Sequence, residues 1–232
     1  MASLTLPSLP VPHSELVKYL DENIGTTMAE LLEPYRRYEA ELRRLYAQQP
    51  SHPLLADPYI NVLRLFTEDT HLIRMRARYL PGESQEERDC YIMPLSDSQR
   101  RRTRQLATVG SLEGFQRNFF IFTESSLYGF DWRNVVAAGS SVVNCLLPAP
   151  SGYDDWAPIR TYYHEQFCPT SDVNLFLYGL TERQAIRKIR RIENHVRKSV
   201  HAETITVRTK HAITICTQLY NASWLPRLIS DR

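Results

Sequence analysis

The sequence is poor in glycine, with 8 glycines among 232 residues. It contains neither the glycine-rich loop that cradles phosphates in P-loop enzymes nor the Gly-x-Gly-x-x-Gly fingerprint of dinucleotide-binding folds. The Gly-x-Ser-x-Gly turn that presents the nucleophile of many hydrolases is also missing from the sequence. These absences argue against three common ways in which an α/β protein holds a nucleotide or activates a serine.

Long apolar runs, paired cysteines and a strong net charge are lacking too. No uninterrupted apolar stretch approaches the roughly 20 residues that span a bilayer, and the formal charge of +2 identifies no nucleic-acid or membrane partner by itself. The sequence does not open with a positively charged segment followed by an apolar core. Because the four cysteines are scattered without a Cys-x-x-Cys pair, we expect reduced thiols in a cytoplasmic or nuclear protein with no membrane association.

The composition that remains is that of a folded protein, with 43% hydrophobic and 10% aromatic residues. Residues 1–12 contain three prolines and little charge, which predicts a flexible tail. Residues 13–110 are predicted to be mainly helical, with a short helix over residues 14–20. A second helix is expected after Thr27, because Thr27 and Glu30 have the spacing of a reciprocal capping box.

Residues 111–218 have a different pattern, in which short β-forming runs alternate with helical ones. The order strand, helix, strand, helix, strands predicts an α/β sheet packed by helices on at least one face. The expected elements are a helix capped by Ser111, a fully buried strand over residues 135–138, a helix after Gly139, a strand over 172–178, a long helix capped by Thr181, and strands over 204–209 and 211–217.

Three blocks of this region, residues 135–142, 171–181 and 206–215, carry a family resemblance. They read VVAAGSSV, SDVNLFLYGLT and TVRTKHAITI. The chain resembles, over about residues 12–218, the nucleotidyltransferase-like domain of a family of fungal proteins that are often labelled ankyrin-repeat proteins. The resemblance implies a nucleotidyltransferase-like mixed sheet with packed helices. No ankyrin-type Thr-Pro-Leu-His repeat accompanies it in this sequence.

The resemblance also implies a magnesium and nucleotide site. Relatives read Ser-Asp-(Ile/Val)-Asp in the middle block, so Asp172 matches the first carboxylate, which is both catalytic and metal-binding. Asn174 stands at the second metal position, two residues on, where both side chains share one face of a strand. Gly139, Ser140 and Ser141 match the turn that holds the nucleotide phosphates, as backbone amides at the start of a helix favour anions.

Two departures from the family pattern argue that catalysis is lost. Asn174 supplies a neutral oxygen where relatives have a charge, and a further strand with acidic residues has no counterpart after residue 218. Residues 219–232 are expected to form a divergent tail that leaves the domain incomplete and a sheet edge unpaired. We therefore expect a degenerate or truncated, noncatalytic protein that binds a nucleotide or a partner. An active magnesium-dependent nucleotidyltransferase and an unstable fragment of a larger protein are the alternatives.

Two basic clusters suggest an anionic partner. The long helix carries Arg183, Arg187, Lys188, Arg190 and Arg191 away from its apolar positions, which favours binding of polyphosphate or nucleic acid near the phosphate site, or else a solvated outer face. Residues 100–104 contain four arginines, which predict a solvated linker or, alternatively, a nuclear-localisation or phosphate-binding segment.

A zinc site is the remaining metal hypothesis. The residues His164-Glu165-Gln166-Phe167-Cys168 resemble a His-Glu-x-x-His motif with cysteine in the last position. No third ligand follows, and Pro169 ends the segment, so the pattern favours zinc only weakly.

Overall fold

The computed structural model describes residues 6–75, 84, 104–149, 152–153, 155–169, 171–200, 203–210, 212–219, 222–224 and 227–229. Its contacts divide the chain into two compact units, Met1–Gly110 and Ser111–Arg232. Residues 100–103 of the arginine-rich run lie outside the described residues. Among the described helices, none is both long enough and apolar enough to cross a membrane.

The first unit is built around two helices, α1 (Leu16–Glu22) and α2 (Met28–Gln48). Thr27 caps α2 as the sequence predicts, since its hydroxyl accepts from the backbone N–H of Glu30 and the Glu30 carboxylate accepts from the Thr27 backbone. The hydroxyl of Tyr35 donates to the carbonyl of Val11 at 2.9 Å, which links the end of the proline-rich segment to α2. Short 3₁₀ segments, His13–Glu15, Pro53–Ala56 and Glu68–Leu72, complete the regular structure described in this unit.

The second unit contains the remaining helices and all of the described strands. Its helices are α3 (Leu112–Phe122), α4 (Ser140–Leu146), α5 (Trp156–Thr161), a π-helical segment (Tyr162–Phe167) and α6 (Glu182–Ser199). Its strands are β1 (Val135–Ala138), β2 (Asn174–Leu177), β3 (Thr204–Arg208), β4 (Ala212–Leu219), β5 (Ala222–Trp224) and β6 (Arg227–Ile229). The predicted caps Ser111 and Thr181 stand directly before α3 and α6.

The strands form one mixed sheet in the order β1-β2-β6-β4-β3, with β5 paired to β4. The β1–β2, β4–β6 and β3–β4 pairs are antiparallel, whereas β2 and β6 are parallel. The unit therefore has the mixed helix and sheet content of an α/β fold, as the alternating sequence pattern predicts. The hairpin expected around Lys210 is present as β3 and β4.

Three expectations about this sheet are wrong in detail. The expected fully buried strand over residues 135–138 is β1, at the edge of the described sheet, and it is buried at Val135 but not at Val136, which is 47% exposed. The strand expected over 172–178 is shorter, since β2 begins at Asn174 and Asp172 lies in the segment before it. The expected unpaired edge after residue 218 is filled, because the backbone of β6 pairs with both β2 and β4.

The core of this unit lies between the sheet and the apolar faces of α3 and α6. Phe122 and Ile215 are fully buried, and Leu175 of β2 is buried beside them. The predicted apolar stripe of α6 enters this core through Ile192 and Val196. Ile186 was expected in the same stripe but is 46% exposed, because it lies in the first turns of α6, ahead of the buried part.

Candidate functional site

The antiparallel register of β1 and β2 brings the two predicted site segments together. Ala138 is paired with Asn174, so the chain enters the Gly139 turn directly beside the point where β2 begins. The hydroxyl oxygens of Ser140 and Ser171 are 3.2 Å apart, which extends the contact beyond the strands. Residues that are more than 30 positions apart in the sequence thus meet at one end of this strand pair.

Gly139 allows the tight turn at the end of β1. Its backbone has φ 91° and ψ −158°, a combination that is open essentially to glycine alone. A Cβ atom at this position would lie 3.4 Å from the side-chain nitrogen of Asn174. Glycine is therefore required here by the backbone angles of the turn, whereas an added Cβ atom would make an ordinary van der Waals contact with Asn174.

We expect the substitution Gly139→Ala to lower the free energy of unfolding by about 1–3 kcal/mol, since alanine would have to adopt backbone angles that are open essentially to glycine alone. Chemical denaturation followed by circular dichroism would measure this change. Gly129→Ala is the matched control, because Gly129 also has a positive φ, 67°, but a Cβ atom added there would meet nothing within 4 Å. Equal losses for the two variants would contradict the expectation that the backbone angles of Gly139 cost more than a positive φ alone.

Asp172 and Asn174 face the same side, as their spacing predicts, although only Asn174 belongs to β2. The Asn174 amide nitrogen donates to the Asp172 carboxylate at 3.2 Å, and both residues are half-buried. An aspartate at position 174 would place a second negative charge against the first, which a cation would have to neutralise. The amide instead satisfies the carboxylate with a hydrogen bond.

The ligand set does not fit a pair of catalytic metal ions. Among the described residues, no group of three or more His, Cys, Asp and Glu side chains is arranged to hold a metal. Two-metal nucleotidyl transfer needs ions about 4 Å apart held by several carboxylates, whereas Asp172 is the carboxylate available here. A single magnesium ion that arrives with a nucleotide does fit, because magnesium is often held by one carboxylate together with phosphate oxygens and waters.

The two predicted phosphate-binding serines differ in accessibility. Ser140 is exposed at the start of α4, where its hydroxyl faces Ser171. Ser141 is fully buried, and its hydroxyl has no hydrogen-bond partner among the described residues. A ligand at this turn can therefore reach the Ser140 hydroxyl but not that of Ser141.

The basic residues of α6 do not form one face beside this site. Lys188 was expected among the exposed cations but is 8% exposed, since its ammonium group donates to the carbonyl and carboxylate oxygens of Asp131 at 2.6 and 3.2 Å. The first turns of α6 follow the far end of β2, where the backbone N–H of Tyr178 donates to the carbonyl of Asn134. They thus lie at the opposite end of the strand pair from the Gly139 turn.

His164, the first residue of the zinc hypothesis, belongs to an ion-pair cluster with Glu124 and Arg160. His164 is buried, and its Nε2 atom lies 2.9 Å from a carboxylate oxygen of Glu124 that also contacts Arg160 at 2.6 Å. A guanidinium group at this distance disfavours a second cation on the same oxygen. Burial raises the pKa of Cys168 to about 11, so zinc would have to displace the thiol proton before it could bind there.

Sequence reasoning missed Asp131, Arg133 and Glu124, which organise the charged clusters of this unit. Asp131 contacts Lys188, and Glu124 contacts Arg160 and His164, all of them more than 30 positions away, so no local spacing indicated these contacts. The Asp131-x-Arg133 spacing was the available local pattern, and it marks an exposed pair in which the Arg133 side chain donates to the Asp131 carboxylate at 2.9 Å.

No protein-family model matches this chain, and neither a curated protein nor a solved structure gives a significant match to it. The function of the site is therefore inferred from its own geometry and chemistry.

Proposed function

We propose that the second unit is a degenerate nucleotidyltransferase-like domain that binds a magnesium-nucleotide at the Gly139 turn without catalysing transfer. The observation that carries this proposal is the pairing of Ala138 with Asn174, which brings the exposed Ser140 and the Asp172 carboxylate to the same end of the β1–β2 pair. A hydroxyl donor beside a single carboxylate suits a phosphate group that is bridged to the protein by one cation.

The residues of the site have separate roles in this proposal. The Gly139 turn brings the backbone close to the ligand, and Ser140 donates to a phosphate oxygen. Asp172 holds the magnesium ion that the nucleotide carries, and magnesium neutralises the phosphates that this carboxylate would otherwise repel. Asn174 orients Asp172 through the 3.2 Å hydrogen bond.

The same residues argue against turnover. Phosphoryl and nucleotidyl transfer depend on cations that neutralise charge as it develops on the attacking and leaving oxygens. One carboxylate and one amide hold less positive charge in place than the acidic pair that the family resemblance implies. Nucleotide binding can survive this change, whereas the chemical step loses most of its electrostatic stabilisation.

The direct test is binding of the four common nucleoside triphosphates to the full chain by isothermal titration calorimetry, with magnesium and then with EDTA. We expect at least one nucleotide to show a binding event that requires magnesium, and Asp172→Asn to weaken that event by about tenfold or more, since one charged ligand is lost. No magnesium-dependent binding, or unchanged binding by the Asp172→Asn variant, would contradict the proposal.

A second variant, Asn174→Asp, tests the role of the missing charge. We expect its melting temperature to fall in EDTA, because two carboxylates then face each other, and to recover when magnesium is added. Asn194→Asp is the matched control, because this exposed residue of α6 undergoes the same chemical change away from the site. Robust nucleotide transfer by the unmodified chain would contradict the noncatalytic assignment.

A further inference from the structure

A polar cavity lies at the end of the β1–β2 pair opposite to the Gly139 turn. Its volume is about 280 Å³, and its lining includes Asp131, Arg133, Gln184, Arg187, Lys188 and Arg191. Asn134, which precedes β1, and Leu180, which follows β2, complete the lining, so the cavity opens where these strands meet the start of α6. At about 3.3 Å per residue, the four residues of β1 separate it from the Gly139 turn by roughly 13 Å.

The cavity is strongly cationic, because four cations line it against the single carboxylate of Asp131. That carboxylate accepts from Arg133 at 2.9 Å and from Lys188 at 3.2 Å, so it links two of the cations. Hydrogen bonds from Arg133, and then from Lys188, hold the pKa of Asp131 well below its usual range, which keeps it ionised.

Arg187 and Arg191 provide the charge that no described protein group balances. They are exposed residues one helical turn apart, so both project from the same side of α6. Neither makes a hydrogen bond or an ion pair with another of the described residues. Gln184 adds a neutral polar side chain to the lining. Its amide oxygen already accepts hydrogen bonds from the backbone and the hydroxyl of Thr181.

We propose that this cavity is a phosphate-binding site, in which Arg187 and Arg191 clamp a phosphate dianion beside Arg133 and Lys188. The excess of cations favours a doubly charged ligand over a carboxylate. Guanidinium groups bind the oxygens of phosphate in a forked, bidentate geometry that an ammonium group does not reproduce. The phosphate is either free or the terminal group of a small phosphorylated molecule, since both present the same oxygens.

This site differs from the proposed magnesium-nucleotide site in position and in chemistry. Here the protein supplies the positive charge, so binding does not require a divalent cation. Binding at the Gly139 turn depends on magnesium, because there the protein supplies a carboxylate. A titration in EDTA therefore observes the arginine-lined cavity alone, and its outcome is independent of whether the nucleotide proposal holds.

The experiment is a titration of the full chain with inorganic phosphate, pyrophosphate and ADP in EDTA at low ionic strength, followed by calorimetry. The test variant is Arg187→Ala with Arg191→Ala. The matched control is Arg183→Ala with Arg190→Ala, because these exposed arginines of the same helix carry the same charge but do not line the cavity. Equal melting temperatures would show that both double variants are folded.

We expect the test variant to weaken binding by about tenfold or more, since two charge-assisted contacts are lost, and the control to change it by less than about threefold. Tighter binding of phosphate than of ADP would identify free phosphate as the ligand, and the reverse would identify a phosphorylated molecule. Equal weakening in both double variants, or no binding by the unmodified chain, would overturn the proposal. Binding of a single-stranded oligonucleotide that depends equally on all four arginines would also overturn it, in favour of a nucleic-acid surface.

Discussion

The substitution Phe122→Ala is expected to lower the free energy of unfolding by about 3–5 kcal/mol relative to the unmodified chain. Phe122 is fully buried at the end of α3. Its ring meets that of Tyr163 edge to face, with centroids 5.5 Å apart, and stacks near His164 at 6.2 Å. Removing the ring therefore loses apolar burial and two aromatic contacts, and leaves a cavity beside the π-helical segment.

This loss is large because a small domain is stable by only about 5–15 kcal/mol in total. Urea denaturation followed by tryptophan fluorescence would measure it. Phe120→Ala is the matched control, because Phe120 lies on the same helix but is 37% exposed. We expect the control to lose about 1 kcal/mol, in proportion to its smaller burial. Comparable losses for the two variants would contradict the assignment of Phe122 to the core.

The substitution Glu124→Gln should have the next largest effect, a loss of about 2–3 kcal/mol at neutral pH. The carboxylate of Glu124 contacts His164 at 2.9 Å and Arg160 at 2.6 Å, and its side chain is 13% exposed. Replacing the carboxylate with a neutral amide removes the anionic partner of Arg160. It also removes the carboxylate that the buried His164 side chain contacts. The effect is smaller than for a fully buried pair because the Arg160 side chain is 36% exposed.

The contribution of Glu124 should also depend on pH. Burial raises the pKa of this carboxyl, but its hydrogen bonds with His164 and Arg160 outweigh that effect and lower the pKa below its ordinary value of 4.5. A group with a lowered folded-state pKa stabilises the fold above its unfolded pKa, and this stabilisation is lost as pH falls through the folded value. The stability difference between the unmodified chain and Glu124→Gln should therefore be full at neutral pH and shrink below about pH 4.5.

Denaturation curves at several pH values from about 3 to 7 would check this dependence. Glu165→Gln is the matched control, because Glu165 lies in the same π-helical segment as His164 but is exposed. We expect the control to show little effect at any pH in this range. A Glu124→Gln difference that stayed constant on acidification would show that the carboxylate is not stabilised by these partners.

Local sequence patterns predicted the elements whose stability is itself local. Thr27 and Thr181 begin helices as their capping boxes predict, since the hydrogen bonds of a capping box join residues three positions apart. Gly139 ends β1 and begins α4, because few other residues adopt its backbone angles. The strands that end at Ala138 and begin at Asn174 could also be located in advance to within about two residues, since each is a short run of β-forming residues.

Contacts between distant residues were not accessible in the same way. Lys188 has the spacing of an exposed helical cation, and only its contact with Asp131, 57 positions earlier, explains its burial. The sequence predicted no strand at β6, yet the backbone of β6 has a place in the sheet through its pairing with β2 and β4. In both cases a partner remote in sequence overrides what the local pattern favours.

The amino-acid sequence by itself determined the helix starts and the alternation of strands and helices, because each depends on residue type and short-range spacing. Only the tertiary structure decided that Asn174 neighbours the Gly139 turn, that Ser141 is withdrawn from solvent, and that Arg133 joins Arg187 and Arg191 around one cavity. The physical reason is that strand register and side-chain burial are set by the packing of the whole unit, which no short stretch of sequence contains.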